Sequence, residues 1–520
     1  MAQIRCNQYE WATGIRSSEQ ISLLGMDIDS AGNSYMTGNF RATTSFGSTQ
    51  LTSQGRSDLY VCKVNESGRY DWIQTAGGPF HAVGLSLTVV NDKHIFITGF
   101  FDKQGVFGDD TLQAMRRSDL FVSKLTLDGE WLWSKTVSGL GNVVGNSIAV
   151  NAVGDIFVAG YFDSTVFVND KAIVNDDNRD AFLLKMDSTG NVVWLEHWGG
   201  NVNEVSTEVA LNLNGEPVVV GIFQDDFTYQ GVRFLSNALF ETFVITFTDD
   251  GAMRWGFQTP EGSTCSGRSV AVDDFGNIYV TGSYRDSITF NNVTYVPRGI
   301  DDIFVLKIKG DGEVDWFKNA GGAEIDRAHH VSIDHENDIY ITGRCTRTVF
   351  FDNSKFWVSV NSDGFVAKLN PEGEWLKFIT SSALLAIGQK VRANTNDDIF
   401  FAGNFAIRGD FGNNRIHGHG DLDGFLGKIN CHASPTSSIY DFTESNLRVY
   451  PNPSTDKRFI ISTQEMKSYS ITNSNGIRLI AKTSNSIREE VDLSQYPAGL
   501  YFVTVMYENN TQEVKKVILN

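Results

Sequence analysis

One stretch of the chain, His417-Gly-His419-Gly-Asp421, sets two imidazoles close to a carboxylate, the donor set of a loose transition-metal site. It lies in a glycine-rich segment between strand-like runs, so it reads as an exposed loop and no metal is assigned. Three acidic turns, Asp27-Ile-Asp29-Ser-Ala-Gly-Asn33, Asp273-Asp274-Phe-Gly-Asn277 and Asp334-His-Glu-Asn-Asp338, offer oxygen ligands of the kind calcium takes. An EF-hand loop needs D-x-[DN]-x-[DN]-G and a glutamate six residues after the glycine, and none of them supplies it. The related segments Asn151-Ala-Val-Gly154 and Asn212-Leu-Asn-Gly215 carry too few carboxylates, so the set reads as Asx-type hairpin turns. No G-x-S-x-G elbow, H-E-x-x-H pair, P-loop or dinucleotide fingerprint occurs. No catalytic residue and no cofactor are therefore assigned, and the chain is not expected to be an enzyme. The remaining candidates are dispersed: Glu208, Arg268, His329, His330, Lys390 and Arg392, joined by Asp27. Gathered together they would make a polar ligand mouth; apart, they are surface charge. The scaffold decides between the two.

That scaffold is written as a repeat. A small residue plus glycine closes an apolar run at Thr37-Gly38, Thr98-Gly99, Ala159-Gly160, Val220-Gly221, Thr281-Gly282, Thr342-Gly343 and Ala402-Gly403, with spacings of 61 residues and a last one of 60. An acid heads an apolar strand on the same beat at Asp58, Asp119, Asp180, Glu241, Asp302, Asp363 and Asp423. Tryptophan follows it at Trp11, Trp72, Trp133, Trp194, Trp255, Trp316 and Trp375. Each unit reads as four strands, as in 268–273, 278–282, 303–308 and 314–317, rich in Val, Ile, Phe and Tyr and bounded by Asp, Asn and Gly turns. So short a unit cannot cover both faces of its own sheet. Seven such sheets packed radially cover one another, which predicts an all-β, seven-bladed β-propeller over 1–432. The regular tryptophans then read as packing between blades, and the acids at the strand heads as caps for backbone donors.

The order of the markers predicts how the ring closes. The last unit ends at 425–429 without a tryptophan strand, whereas the chain opens with one, 8–11, that has no partner before it. Pairing the two removes both bare edges. Shifted by the repeat, Cys6 falls on Ser67, and Cys431, measured from the acidic marker, falls on Glu66. The two cysteines meet at one hairpin turn, so a Cys6–Cys431 disulfide is expected, worth roughly 5 kcal/mol in the chain-entropy model for so long a loop. Cys62 reads as a buried small hydrophobe. Cys265 and Cys345 fall in loops of adjacent blades, where a second bridge is open. Around the channel, several units hold Ser147, Ser269, Ala149 or Ala210, as crowding requires. Where they hold Glu208, Arg268, His329, His330, Lys390, Arg392 and Asp27 instead, a mixed charged cluster forms. It is a candidate ligand mouth, although a network of self-paired charges is the favoured account.

Length and composition agree with this reading. The 520 residues carry 49 Gly against 9 Pro and 12% aromatics, which fits many short strands joined by tight turns. No run reaches the roughly 18 apolar residues needed to cross a bilayer. The net charge of −19 lies wholly ahead of Asp441; from Asp441 onward nine basic and nine acidic residues balance. That sign repels nucleic acid and anionic membranes and favours a monomeric propeller.

After Cys431 comes His-Ala-Ser-Pro-Thr-Ser-Ser, a linker over 433–445. About seven short strands follow in 446–520, a small β-sandwich by pattern. The repeat unit, A-V-D-x-x-G-N-I-Y-V-T-G at 271–282 and D-x-F-V-x-K-L at 119–125, resembles the SBBP-type β-propeller repeat. The tail has Tyr450-Pro451-Asn452-Pro453 and Gly499-Leu-Tyr501 before Lys515-Lys516, and it resembles the type A C-terminal sorting domain of type IX secretion. The resemblance implies a Gram-negative bacterium of the gliding and oral-pathogen phylum. It also implies Sec export with the signal peptide already removed and delivery to the cell surface or outside. The implied partners are the translocon with its shuttle and attachment proteins. Changes at Pro451 or Gly499 should then affect export more than the propeller fold. Asp163-Ser-Thr, Asp187-Ser-Thr and Asp286-Ser-Ile are similar to the O-glycosylation sites of that phylum.

The expected function is a non-enzymatic surface protein whose propeller binds a protein or glycan, in adhesion or gliding. The alternatives are a lyase or hydrolase at the channel mouth, and a structural component retained by the secretion or motility machinery.

Overall fold

The computed structural model describes residues 8–430 and 447–519, except for 176–177, 353, 359–361, 397, 413, 451–453, 455–456, 463–465, 474–476, 485, 487 and 508–511. The expected linker and the Cys6–Cys431 bridge lie outside the described residues. Two compact units divide the chain, Met1–Asp441 and Phe442–Asn520, and every described regular element is a β-strand.

In the first unit the repeat becomes a four-stranded antiparallel sheet paired in chain order. Cys265–Val272, Ile278–Tyr284, Asp302–Ile308 and Val314–Gly322 are one such set. The pattern recurs from Ile21–Ile28 onward. Near its end the strand Trp375–Ala393 serves two sets, outermost in one and first in the next. The strand Gln8–Ser17 pairs with Asp423–Asn430, Gln8 opposite Asn430 and Ile15 opposite Gly424. The two middle strands are buried throughout, as in Ile278–Tyr284 and Asp302–Ile308, because neighbouring sheets cover both faces, and they therefore read as unbroken apolar runs. First and last strands alternate. The cores cross from repeat to repeat: Val218, Val220 and Val244 pack with Ile278, Val280 and Phe304, and Phe400, Ala402 and Leu426 pack with Met26, Met36 and Ile15. Each first strand packs on the next, and the last of them, within Trp375–Ala393, packs on Ile21–Ile28.

The two side-chain markers act between and within sheets. The indoles of Trp11, Trp72, Trp194, Trp255 and Trp316 donate to the carbonyls of Glu66, Leu127, Asp249, Gly310 and Pro371, each one repeat on. The acids take backbone N–H groups: Asp119 those of Met115 and Gly139, and Asp423 those of His419 and, on the N-terminal strand, Ser17 at 2.8 Å. The cysteine expectation needs correction. Cys265 heads a strand and Cys345 ends one, so both sit inside the sheets and not in loops. Their thiols, like that of Cys62, are buried and free.

The second unit packs two sheets around one core. Arg448–Tyr450, Arg458–Ser462 and Arg488–Asp492 form one, and Arg478–Thr483, Met466–Asn473, Gly499–Tyr507 and Gln512–Leu519 the other. Phe459, Ile461, Ile471, Val491, Val503 and Val517 fill the space between.

Candidate functional site

A β-bulge in every first strand positions the candidate side chains. The register slips between Gly145 and Ser147, Ser206 and Glu208, Gly267 and Ser269, Ala328 and His330, and Gly388 and Lys390. The extra residue in these bulges is Asn146, Thr207, Arg268, His329 or Gln389, and it leaves the alternation that its neighbours keep. Beyond the bulge, the residues face a cavity of about 280 Å³ lined by every first strand, with Ser86, Ser147, Glu208, His330, Lys390 and Arg392 among them.

The six expected ligand residues therefore do not form one cluster. Glu208, His330, Lys390 and Arg392 come together in that cavity, with Asp27 beside it and bonded to Arg392. Lys390 Nζ donates to Glu208 Oε1 at 3.0 Å, Arg392 Nε donates to Asp27 Oδ1 at 2.9 Å, and Arg392 Nη1 stands 2.8 Å from His330 Nε2. A guanidinium can only donate, so Nε2 carries the lone pair. Burial, then Lys390 and Arg392, holds the His330 imidazole well below its ordinary pKa, so it is neutral. Two carboxylates and two cations remain, and they balance. The acids have a second task, which two serines share. Ser147 Oγ, Glu208 Oε2, Ser269 Oγ and Asp27 Oδ2 accept the N–H groups of Val209, Val270, Val331 and Val89, one repeat on. A first strand has no neighbour on its inner side, and these side chains satisfy its free donors.

Arg268 and His329, the bulged residues, go elsewhere. His329 Nδ1 lies 2.9 Å from the Gly388 carbonyl, which only accepts, so Nδ1 carries the proton. Burial, then Arg268, with Arg344 and Arg327 adding to it, pushes that imidazole down to about 3. Arg268 is exposed and lines a separate cavity of about 170 Å³ with Arg285, Arg327 and Asp301. Sequence reasoning missed Arg285, Asp301, Arg327 and Arg344. Arg344 follows the Thr342-Gly343 marker directly, at a position where other repeats hold Asn39, Tyr161 or Ser283, and that contrast was the available signal.

The acidic turns close on themselves. Asp273 Oδ1 accepts from Phe275 and Asn277 N–H, and its Oδ2 from Asn277 and Tyr279 side chains. Among the described residues no group of three or more His, Cys, Asp or Glu is placed to hold a metal ion. His417 and His419 are exposed. In the second unit Tyr450 ends a strand, Gly499 begins one with φ of +150°, and Tyr501 donates its hydroxyl to the Pro497 carbonyl at 2.7 Å. Lys515 and Lys516 lie opposite Val503 and Phe502. Pro451, Asn452 and Pro453 fall outside the described residues.

Residues 448–520 match the family described as secretion system C-terminal sorting domain, and residues 256–283 the SBBP β-propeller repeat. The chain is similar to the uncharacterized WD repeat-containing protein L264 of Acanthamoeba polyphaga mimivirus, 20% identical over 389 residues, 59% of this chain and 28% of that protein. It thus spans under a third of that relative's length. Among solved structures it is similar to the quinohemoprotein alcohol dehydrogenase of Comamonas testosteroni, with a TM-score of 0.41, 9% identity and coverage of 88% and 81% of the two chains. It is also similar to PorZ, a surface component of the type-IX secretion system of Porphyromonas gingivalis, with a TM-score of 0.25, 11% identity and coverage of 96% and 75%. Among the described residues no helix is long and apolar enough to cross a membrane. Residues 448–520 are thus a type IX secretion C-terminal sorting domain, behind a unit that holds an SBBP β-propeller repeat at 256–283, and that domain implies export to the cell surface or the extracellular space.

Proposed function

We propose that the first unit is a seven-bladed propeller closed by its N-terminal strand, and that it binds a protein or glycan at the cell surface without transforming it. The sorting domain would engage the type IX translocon and its shuttle and attachment proteins. One observation carries the binding reading: the side chains that differ between repeats collect on the first strands, at two cavities, while the shared ones are spent on packing and capping. A lyase or hydrolase is less well supported. His330, the acid–base candidate, is buried and neutral, and its Nε2 already takes a donor from Arg392.

The test is chemical cross-linking on intact cells of the native host, followed by mass spectrometry of what is joined to residues 8–430. A cross-linked partner or glycan is expected, left chemically unchanged by the purified protein. Turnover of that ligand, abolished by His330→Ala, would replace binding with catalysis. Recovery with the translocon alone, in equal amounts, would favour a structural part.

A further inference from the structure

We propose that the cavity lined by Arg268 binds an anionic sugar, a uronate or sulfated unit of an extracellular polysaccharide; this rests on the ligand-binding reading above and gives it a place and a chemical class. The starting observation is a charge imbalance. Three guanidiniums, Arg268, Arg285 and Arg327, line the cavity, where Asp301 is the one carboxylate in the wall; Arg344 stands beside them, its backbone paired with that of Arg327 and its charge facing Asp326 as well as Asp301, in a chain whose net charge is −19. The network around Glu208 neutralises itself; this group does not. Like charges held together in a partly desolvated place are unfavourable until a counter-charge arrives.

Geometry adds direction. Asp301 accepts from Arg285 Nε at 2.9 Å and from Arg327 Nε at 2.8 Å, and also from Arg327 Nη2. That fixes two forks while leaving, among the described residues, both Nη groups of Arg285 and Nη1 of Arg327 unclaimed. Arg268 has no hydrogen bond among the described residues, and the Nε of Arg344, whose backbone pairs with that of Arg327, is buried without a partner. Planar forks of this kind take a carboxylate or sulfate through paired bonds. The lowered pKa of His329 is consistent with the same concentration of positive charge.

The rest of the wall favours a sugar. Thr264, Ser266 and Ser283 contribute hydroxyls, and Leu239, 56% exposed, contributes with Phe240 an apolar side for the C–H face of a ring. About 170 Å³ suits a single ring. An acidic peptide would use the cations and leave the hydroxyls and the apolar wall idle.

The full chain is titrated by calorimetry with trigalacturonate, a sulfated chondroitin disaccharide, neutral maltotriose and hexaglutamate. At least one acidic sugar is expected to bind and maltotriose not to, and the two acidic probes separate carboxylate from sulfate recognition. Arg268→Gln should weaken binding about tenfold or more, with Arg268→Lys in between because it keeps charge but loses the fork. Arg268 has no hydrogen-bond partner among the described residues, so an unchanged melting temperature controls for folding. Binding of neither acidic sugar, equal binding of maltotriose, hexaglutamate binding at least as tightly, or full affinity in Arg268→Gln would each overturn the site. If acidic sugars fail while a cross-linked partner maps elsewhere on the first unit, this inference falls and the broader binding reading stands.

Discussion

Glu204 heads the first strand of its repeat with its side chain fully buried. Its Oε2 accepts the Gly200 N–H at 2.8 Å, and its Oε1 has no partner. Burial pushes the carboxyl up to about 7, so over the range between its ordinary value and neutrality the folded chain holds a proton that the unfolded chain has released. Stability from this group is present in acid, falls as pH rises through that window, and is flat above it. Glu204→Gln keeps the acceptor and removes the titration. We expect the variant to melt higher at pH 7.5, by about 1–3 kcal/mol, with the gain vanishing near pH 4.5; no difference between the two pH values would refute the assignment. Asp326, two repeats on in the same register, is likewise pushed by burial to about 7. Such positions show the limit of sequence reading at this scale. The marker acids all stand on third strands and all are buried, but Glu204 and Asp326 stand at the start of first strands, where no marker points. The same holds for residues 268 and 269 or 329 and 330: they are neighbours in the chain, yet a bulge turns them apart, Arg268 to the smaller cavity and Ser269 to Glu208, His329 to the Gly388 carbonyl and His330 to the larger cavity. A bulge follows from local twist and the packing of adjacent sheets, and no residue type announces it.

Between strands, the lysine of the D-x-F-V-x-K-L marker is a repeated device. Lys185 reaches Asp155 and Asp249, Lys368 reaches Asp338, and Lys428 reaches Asp398 and Glu10, both at 3.1 Å. In the last case one of the acids stands on the N-terminal strand. Burial alone would lower the Lys428 pKa, but hydrogen bonds to Asp398 and Glu10 outweigh it and hold it above the ordinary value. The stabilisation is thus complete at neutral pH and is lost only as pH climbs through that raised value. Lys428→Met should cost about 1–3 kcal/mol by leaving two carboxylates facing each other, and adding Glu10→Gln should recover part of it. Additive losses in denaturant titrations would show that the strand is not joined through this pair. The strands, their order and the roles of the tryptophans and acids were legible, because each recurs on one period and one period admits few packings. The free positions of Cys265 and Cys345 were not, since strand ends blur by a residue or two.

At the scale of the whole molecule, the first unit carries the charge and the cavities, and the second carries the address. The all-β class was readable from the repeat, and the change in composition after Cys431 comes shortly before the boundary between the two units, Met1–Asp441 and Phe442–Asn520. The site was readable in part: Asp27, Glu208, His330, Lys390 and Arg392 meet and pair as their places on the repeat imply, whereas the departure of Arg268 and His329 depends on the register of separate sheets. Gln8 stands opposite Asn430, so a circular permutant is a direct test of closure: residue 430 tied to residue 8 by a short Gly/Ser bridge, with the chain reopened in the turn 274–276. It keeps every strand pair and should melt cooperatively within a few degrees of the parent; a permutant that does not fold would mean that the two strands are not partners. The same adjacency orders events in time. A ribosome makes residues 8–17 first and 423–430 last, so the opening strand must wait, unsatisfied, for almost the entire unit to emerge. The secretion tag follows directly behind its late partner, and so becomes visible to an export receptor only on chains already able to latch.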